Sequence, residues 1–183
     1  ARGRLAFDLY AGAGVTTELL RRRFERVVPC ESFPESAAAL GVPPKTAEDF
    51  LREALARGDR PELVVANPPR GGMGATVTEA LLSLDPSEIR VMSCSAKTLA
   101  RDLAVLERRF ARVSVEAFDT LPQTGHRELV AVLRRRGCAE LRRPGNLCGA
   151  HQGLQVQFRG QLGQRAQGRV CPGLRLARQR GQR

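Results

Sequence analysis

The chain has 183 residues, with 30 Lys and Arg against 19 Asp and Glu, a net charge of +11, 42% apolar residues and no Trp. At roughly 150 residues per domain this is one domain with an appendage, long enough to bury a core without staples. No run approaches the ~20 consecutive apolar residues of a membrane span, and no charged-then-apolar leader opens the chain, so neither a transmembrane helix nor a secretory signal is expected.

The charge is divided unevenly. Residues 1–136 hold 21 basic and 18 acidic side chains, whereas residues 137–183 hold nine Arg and only Glu140, together with nine of the 18 Gly and eight Gln. A segment so polar buries too little apolar surface to order itself, so residues 137–183 are expected to be a disordered basic tail that could meet nucleic acid through its phosphates. The cysteines, at 30, 94, 138, 148 and 171, follow no regular spacing. That pattern suits a reducing cytoplasm better than a disulfide framework. Cys148 and His151 lack the second ligand pair that zinc needs, so no metal is expected.

Within residues 1–136, apolar runs alternate with helical patterns. Leu5–Leu9 reads as a buried strand that begins almost at the first residue, Ala1, as in an internal or C-terminal piece of a longer protein. Gly12 and Gly14 turn the chain, and Thr16–Phe24 follows as a helix with Leu19, Leu20 and Phe24 on one side. Val27–Glu31 is a second strand ending in an acid, Pro34–Leu40 a short helix with Pro in its first turn, Val42–Thr46 a weak strand, and Ala47–Ala56 a helix stopped by Gly58. Leu63–Ala66 is a strand running into Asn67-Pro68-Pro69-Arg70, followed by a helix at Thr76–Leu84 and a strand at Ile89–Ser93 closed by Cys94. Lys97–Phe110 is the longest helix, with Leu99, Leu103, Leu106 and Phe110 on one face. Val113–Phe118 and Leu129–Leu133 end the series as strands. Such alternation predicts an α/β fold, a doubly wound and mostly parallel sheet with helices on both faces and an antiparallel last strand. Ligands bind such sheets at the carboxyl ends of the strands.

Those ends carry the chemistry. Gly12-Ala13-Gly14 lets the backbone approach a ligand closely, but Thr17 stands where a third glycine would complete the dinucleotide fingerprint. Glu31 at the end of the second strand suits two ribose hydroxyls. Two glycines and an acid so spaced fit a nucleoside without a pyrophosphate, such as the adenosine of S-adenosylmethionine. Asn67-Pro68-Pro69 offers an amide and carbonyls on a stiff turn that could hold a flat base or the donor's amino group. In amino-methylating enzymes acting on adenine an aromatic follows such a triplet to stack on the base, whereas here Arg70 follows.

Three stretches in fixed order then carry a resemblance: Phe7-Asp8-Leu9-Tyr10-Ala11-Gly12-Ala13-Gly14, the run from Ser93-Cys94-Ser95 to Arg101-Asp102-Leu103, and Phe118-Asp119 through Gly125-His126-Arg127-Glu128. Together they resemble the RNA uracil-5-methyltransferases, which make 5-methyluridine in transfer and ribosomal RNA with S-adenosylmethionine. The resemblance covers roughly residues 4–136. It implies a Rossmann-like methyltransferase domain over residues 1–136, Cys94 as nucleophile, Glu128 as the base at carbon 5, and Tyr10, Gly12, Gly14, Glu31 and Asn67 around the donor. RNA is the implied partner, with no membrane role and a monomer favoured, in the cytoplasm. The family has Asp where this chain has Asn67, and Asn-Pro where it has Ser95-Ala96. Its donor-binding Gln and RNA-binding β-barrel lie upstream of the matching region. A non-catalytic RNA-binding remnant, or an amino-methyltransferase working through Asn67-Pro68-Pro69, are the readings that compete.

Overall fold

The computed structural model describes residues 3–120 and 127–137, and beyond them three short strands. The elements are β1 (Gly3–Leu9), α1 (Val15–Arg21), β2 (Phe24–Cys30), α2 (Pro34–Ala39), α3 (Ala47–Ala56), β3 (Leu63–Ala66), α4 (Gly74–Leu84), β4 (Glu88–Ser93), α5 (Ala96–Leu106), β5 (Phe110–Phe118) and β6 (Glu128–Arg135). They are followed by β7 (Leu154–Gln155), β8 (Gln157–Arg159) and β9 (Leu174–Arg175). The main sheet runs in the order β2-β1-β3-β4-β6-β5, with β8 beside β5, while β7 pairs with β9. The expected disorder of residues 137–183 falls largely outside the described residues; β8 lies parallel to β5 there.

β1 to β4 are mutually parallel, and β6 is antiparallel to both of its neighbours, β4 and β5. The expected antiparallel last strand is therefore present, as an interior strand rather than an edge. The chain leaves β1 toward β2 on one side and later extends from β3 toward β4 on the other. This reversal of winding, between β1 and β3, is where open α/β sheets form a ligand crevice.

The short apolar run of β3 is buried at every position, as a central parallel strand must be. Alternate side chains go to opposite faces. Phe7, Leu9, Val64, Ala66, Ile89 and Val91 meet Phe50, Leu51, Val77, Leu81, Leu99 and Leu103 from α3, α4 and α5. On the other face Ala6, Leu63 and Val65 meet Leu20 of α1. Phe7 and Phe50 touch edge to face, with ring centroids 4.9 Å apart. α3 starts where Thr46 Oγ1 accepts the Asp49 N–H (3.2 Å), with Glu48 and Asp49 in its first turn.

Three expectations about the elements change. Phe24 and Phe110 open β2 and β5 instead of closing the preceding helices. Val42–Thr46 forms no strand: Pro43 and Pro44 offer no ladder N–H, and the Lys45 N–H instead donates to the Glu31 carbonyl at 2.8 Å. α4 begins two residues before the predicted Thr76, at Gly74.

At the edge remote from the strand ends, Asp85 closes α4 in a left-handed conformation (φ 53°). Its carboxylate accepts from Arg109 Nε at 2.7 Å and from an Arg135 guanidinium nitrogen at 3.2 Å. The Arg109 hydrogen bond foremost, against an opposing contribution from burial, holds the Asp85 carboxyl below its ordinary value. A depressed carboxyl stabilises the fold above the unfolded value of about 3.9 and loses that contribution as pH falls through the folded one. Asp85→Asn tolerates the same backbone and removes only the charge. With both arginines half exposed, the loss at pH 7 should be at most about 1 kcal/mol, a few degrees of melting temperature. The gap between the two proteins should narrow steadily as pH falls below the unfolded value of about 3.9; a gap that does not narrow there would assign the loss to shape instead of charge.

Candidate active site

The sheet order sets the sequence-predicted residues in a row. Glu31 follows β2, Tyr10 to Gly14 follow β1, Asn67 follows β3, Cys94 follows β4, and Glu128 begins the reversed β6. All five positions lie along one edge of the sheet, successive strands being about 4.8 Å apart.

The first part of the row is a turn of unusual backbone. Tyr10, Gly12 and Gly14 all have positive φ (59°, 53° and 82°). Only glycine enters that region freely, so the two glycines are required by shape while Tyr10 is held there by its surroundings. A Cβ on Gly14 would stand 2.4 Å from Leu40 Cδ2, whereas one on Gly12 would meet nothing within 4 Å. Space is therefore open above Gly12. Ala11 N–H donates to the Cys30 carbonyl at 3.0 Å, tying the turn to the end of β2.

Glu31 stands at the centre of this turn. Its Oε2 accepts the Gly12 N–H at 2.8 Å, and its Oε1 accepts the N–H groups of Ser32 and Phe33, each at 2.7 Å. Burial pushes the carboxyl up, but the three backbone N–H groups together outweigh it and hold Glu31 below its ordinary value. The carboxylate is thus pre-formed and retains acceptor capacity on Oε2. The Tyr10 phenol is pushed up, first by burial and then by the charge of Glu48, so it stays a neutral hydroxyl.

Thr17, read from sequence as a defect in a fingerprint, has its own function in the turn. Its hydroxyl donates to Asp8 Oδ2 at 2.6 Å, and both side chains are buried. Asp8, at the end of β1 beneath the turn, is raised in pKa by burial, while the bonds from Thr17 lower it. A fixed partner for this acid is what the position needs.

Asn67 is exposed, and its N–H donates to the Leu9 carbonyl at 3.3 Å, which seats it beside the Tyr10 turn. Pro68 behind it is buried.

The two described thiols contrast. Cys30 is 3% exposed, and its Sγ donates to the carbonyls of Lys45 (3.4 Å) and Thr46 (3.6 Å). Burial first, then the charge of Glu31, pushes it up to about 12. Cys94 is exposed and sits just ahead of α5, whose N-cap Ser95 Oγ accepts the Thr98 N–H at 3.4 Å. A helix N-terminus favours a thiolate nearby. The Ser93 hydroxyl, 2% exposed, donates to the Ser95 carbonyl and accepts the Ser95 N–H, both at 3.1 Å, and so closes the turn that presents Cys94.

Ser93 pairs with Leu129 across β4 and β6, and Phe118 pairs with Glu128 across β5 and β6. Cys94 directly follows Ser93 and Glu128 directly precedes Leu129, so both stand at the end of that ladder. The intervening motif residues Leu121 to His126 lie outside the described residues. Among the described residues, no group of three or more His, Cys, Asp or Glu is placed to hold a metal ion.

Thr17→Val should cost about 1–3 kcal/mol at pH 7, the penalty of a buried acceptor stripped of its partner. Because the raised Asp8 carboxyl favours the folded state only when protonated, that cost should shrink as pH falls toward 4. Adding Asp8→Asn should recover much of it at pH 7, read in denaturant melts. A cost independent of pH would mean that the Thr17 hydroxyl matters for packing alone.

No protein-family model matches the chain. In sequence it is 30% identical over 145 residues to an uncharacterized RNA methyltransferase of Bacteroides thetaiotaomicron, covering 72% of this chain and 32% of that protein. It is 40% identical over 104 residues to the 23S rRNA (uracil(747)-C(5))-methyltransferase RlmC of Salmonella paratyphi B, covering 55% of this chain and 27% of that one. The chain thus spans about a third of the length of the curated relatives it matches. The solved tRNA (uracil-54, C5)-methyltransferase of Pyrococcus abyssi, in complex with S-adenosyl-L-homocysteine, shares the fold with a TM-score of 0.57 at 24% identity, over 73% of this chain and 35% of that one. The N-methyltransferase NodS of Bradyrhizobium japonicum, solved with S-adenosyl-l-homocysteine, does so with a TM-score of 0.59 at 13% identity, over 75% of this chain and 80% of that one. The chain is thus similar in sequence to part of those RNA methyltransferases, a uracil-5 enzyme among them, and shares the fold of solved methyltransferases.

Proposed function

We propose that this chain is the catalytic part of an RNA uracil-5-methyltransferase that takes its methyl group from S-adenosylmethionine, with transfer or ribosomal RNA as substrate in the cytoplasm. The observation that carries this reading is the placement of the exposed Cys94 and of Glu128, each one residue beyond the Ser93–Leu129 pair, at the sheet edge that also holds Glu31, Gly12 and Asn67.

The residues suit the donor. Glu31 offers a pre-formed carboxylate to ribose hydroxyls, the space above Gly12 admits the nucleoside, and Asn67 and Tyr10 lie next along the row toward Cys94. When bound, S-adenosylmethionine supplies an electrophilic methyl group.

Carbon 5 of uracil is too weak a nucleophile to react unaided. The Cys94 thiolate adds to carbon 6, the carbon 5–carbon 6 π electrons move into an enolate, and carbon 5 becomes nucleophilic. Once carbon 5 carries the methyl group, Glu128 removes its remaining proton, the double bond reforms and the thiolate leaves. Cys30, buried and held protonated, cannot substitute for Cys94. A stacked uridine must first be turned out of its helix to reach the thiol, at a cost of a few kcal/mol that RNA contacts must offset.

Asn67→Asp should tighten S-adenosylmethionine binding by up to about tenfold, since one charged hydrogen bond replaces a neutral one. Unchanged or weaker binding in a calorimetric titration would remove Asn67 from the donor site. RNA carrying 5-fluorouridine, incubated with the chain and S-adenosylmethionine, should form an adduct that survives a denaturing gel and maps to Cys94, because fluorine cannot leave as the proton does. Cys94→Ala should abolish that adduct, and Glu128→Gln should accumulate one with ordinary uridine RNA. Methylation by Cys94→Ala equal to that of the unmodified chain would overturn the covalent route in favour of amino-methylation at Asn67-Pro68-Pro69. Absence of any donor binding would leave an RNA-binding remnant.

A further inference from the structure

Asp102 lies on α5, far along the helix from Cys94, yet it is the most deeply buried carboxylate after Asp8, at 2% exposed. Its two oxygens face different elements. Oδ2 accepts the Met73 N–H at 2.7 Å, across to the loop that follows β3. Oδ1 accepts from Arg101 Nε (3.1 Å) and from a terminal guanidinium nitrogen (2.9 Å), and that same nitrogen donates to the Gly71 carbonyl at 2.8 Å. One turn earlier on α5 the Thr98 hydroxyl donates to the Arg70 carbonyl at 3.1 Å. The loop therefore touches α5 at Arg70, Gly71 and Met73, and all three contacts use loop backbone. Gly72, between them, has φ 77°, and a Cβ there would stand 2.5 Å from Asp102 Oδ2 and 2.7 Å from the Arg101 guanidinium. The close approach leaves no room for a side chain.

This loop carries Asn67 at its start, and α5 is the helix whose first turn presents Cys94. The two reacting sides of the site hang from neighbouring strands, β3 and β4, and only their loops could drift apart. Reactants need alignment to about 3–3.5 Å, and a displacement of 1 Å costs up to ~100-fold in rate.

We propose that Asp102 is a positioning residue: its carboxylate, with Arg101 as its second arm, fastens the donor-side loop to the helix of the nucleophile so that Asn67 and Cys94 keep a fixed separation. The inference rests on the donor-site reading of Asn67 and adds to it the device that holds Asn67 in place. Asp102 acts through the loop backbone and touches neither substrate.

The test uses the full chain, S-adenosylhomocysteine as the probe, and the isosteric Asp102→Asn, which cannot accept on both sides at once. Amide exchange at Met73 should accelerate at least tenfold in Asp102→Asn while the amides of β1, β3 and β4 keep their protection. S-adenosylhomocysteine should bind five- to tenfold more weakly to Asp102→Asn, but Asp102→Asn added to Asn67→Ala should change affinity less than twofold, since a residue that acts through Asn67 has nothing left to act on. Independent, additive effects of the two substitutions would overturn the proposal, as would unchanged exchange at Met73. Should Asp102→Asn lose protection throughout the sheet, Arg101→Ala, which removes only the half-exposed arm to Gly71, replaces it and must show the same non-additivity. If the unmodified chain takes up no S-adenosylhomocysteine, the donor-site reading fails by itself, and Met73 exchange alone decides whether the fastening exists.

Discussion

A reversed strand presents its beginning where its neighbours present their ends. β6 is inserted in that sense between β4 and β5, which brings Glu128, far from Cys94 in sequence, to the same sheet edge. The register that does this is fixed by packing. Leu129, Ala131 and Leu133 point into the core opposite Ile89, Val91, Val115 and Ala117, and a slip of one residue would turn all of them to the other face. Three aliphatic side chains thus determine which residue of β6 reaches the sheet edge that holds Cys94. Met92 and Val130, paired across the two strands, are the half-buried residues that alternate with them.

Local electrostatics then separates chemically similar groups into different roles. Two cysteines follow strand interiors, but one donates to carbonyls beneath Glu31 and stays a thiol, while the other is exposed ahead of a helix. Two carboxylates lie near the glycine turn, and they differ as well. Asp8 has burial against it and needs the Thr17 hydroxyl, whereas Glu31 has three backbone N–H groups that keep it ionised. The buried acid is closed off from solvent, and the amide-held acid stands at the sheet edge beside Gly12. Burial and hydrogen bonding, more than residue type, make that distinction.

Most of the strand ends were legible in the sequence because they carry residues that strands otherwise avoid. Gly12, Gly14, Glu31, Asn67-Pro68-Pro69 and Cys94 interrupt apolar runs, and the structure brings them to one edge. What stayed hidden depends on tertiary context. Phe24 and Phe110 each follow an arginine-rich stretch and match helical spacing, so periodicity alone assigns them to helices, yet each opens a strand whose pairing outweighs local pattern. The insertion of β6 between β4 and β5 leaves no local trace. The roles of Thr17 and Asp102 stayed hidden for a related reason: nothing in the local sequence names the partner of a polar helix residue, Asp8 in one case and the Met73 amide in the other.

For the proposed chemistry, the donor must occupy the strand ends between β2 and β4. Amide chemical-shift mapping during titration with S-adenosylhomocysteine tests this directly. Shifts should concentrate at residues 10–14, 31–33 and 67–72, extend to 93–95, and leave Asp85, Glu88 and Arg109 at the far edge unmoved. Shifts centred on that far edge, or on the cleft of about 300 Å³ lined by Lys45, Arg52 and Glu53, would contradict it.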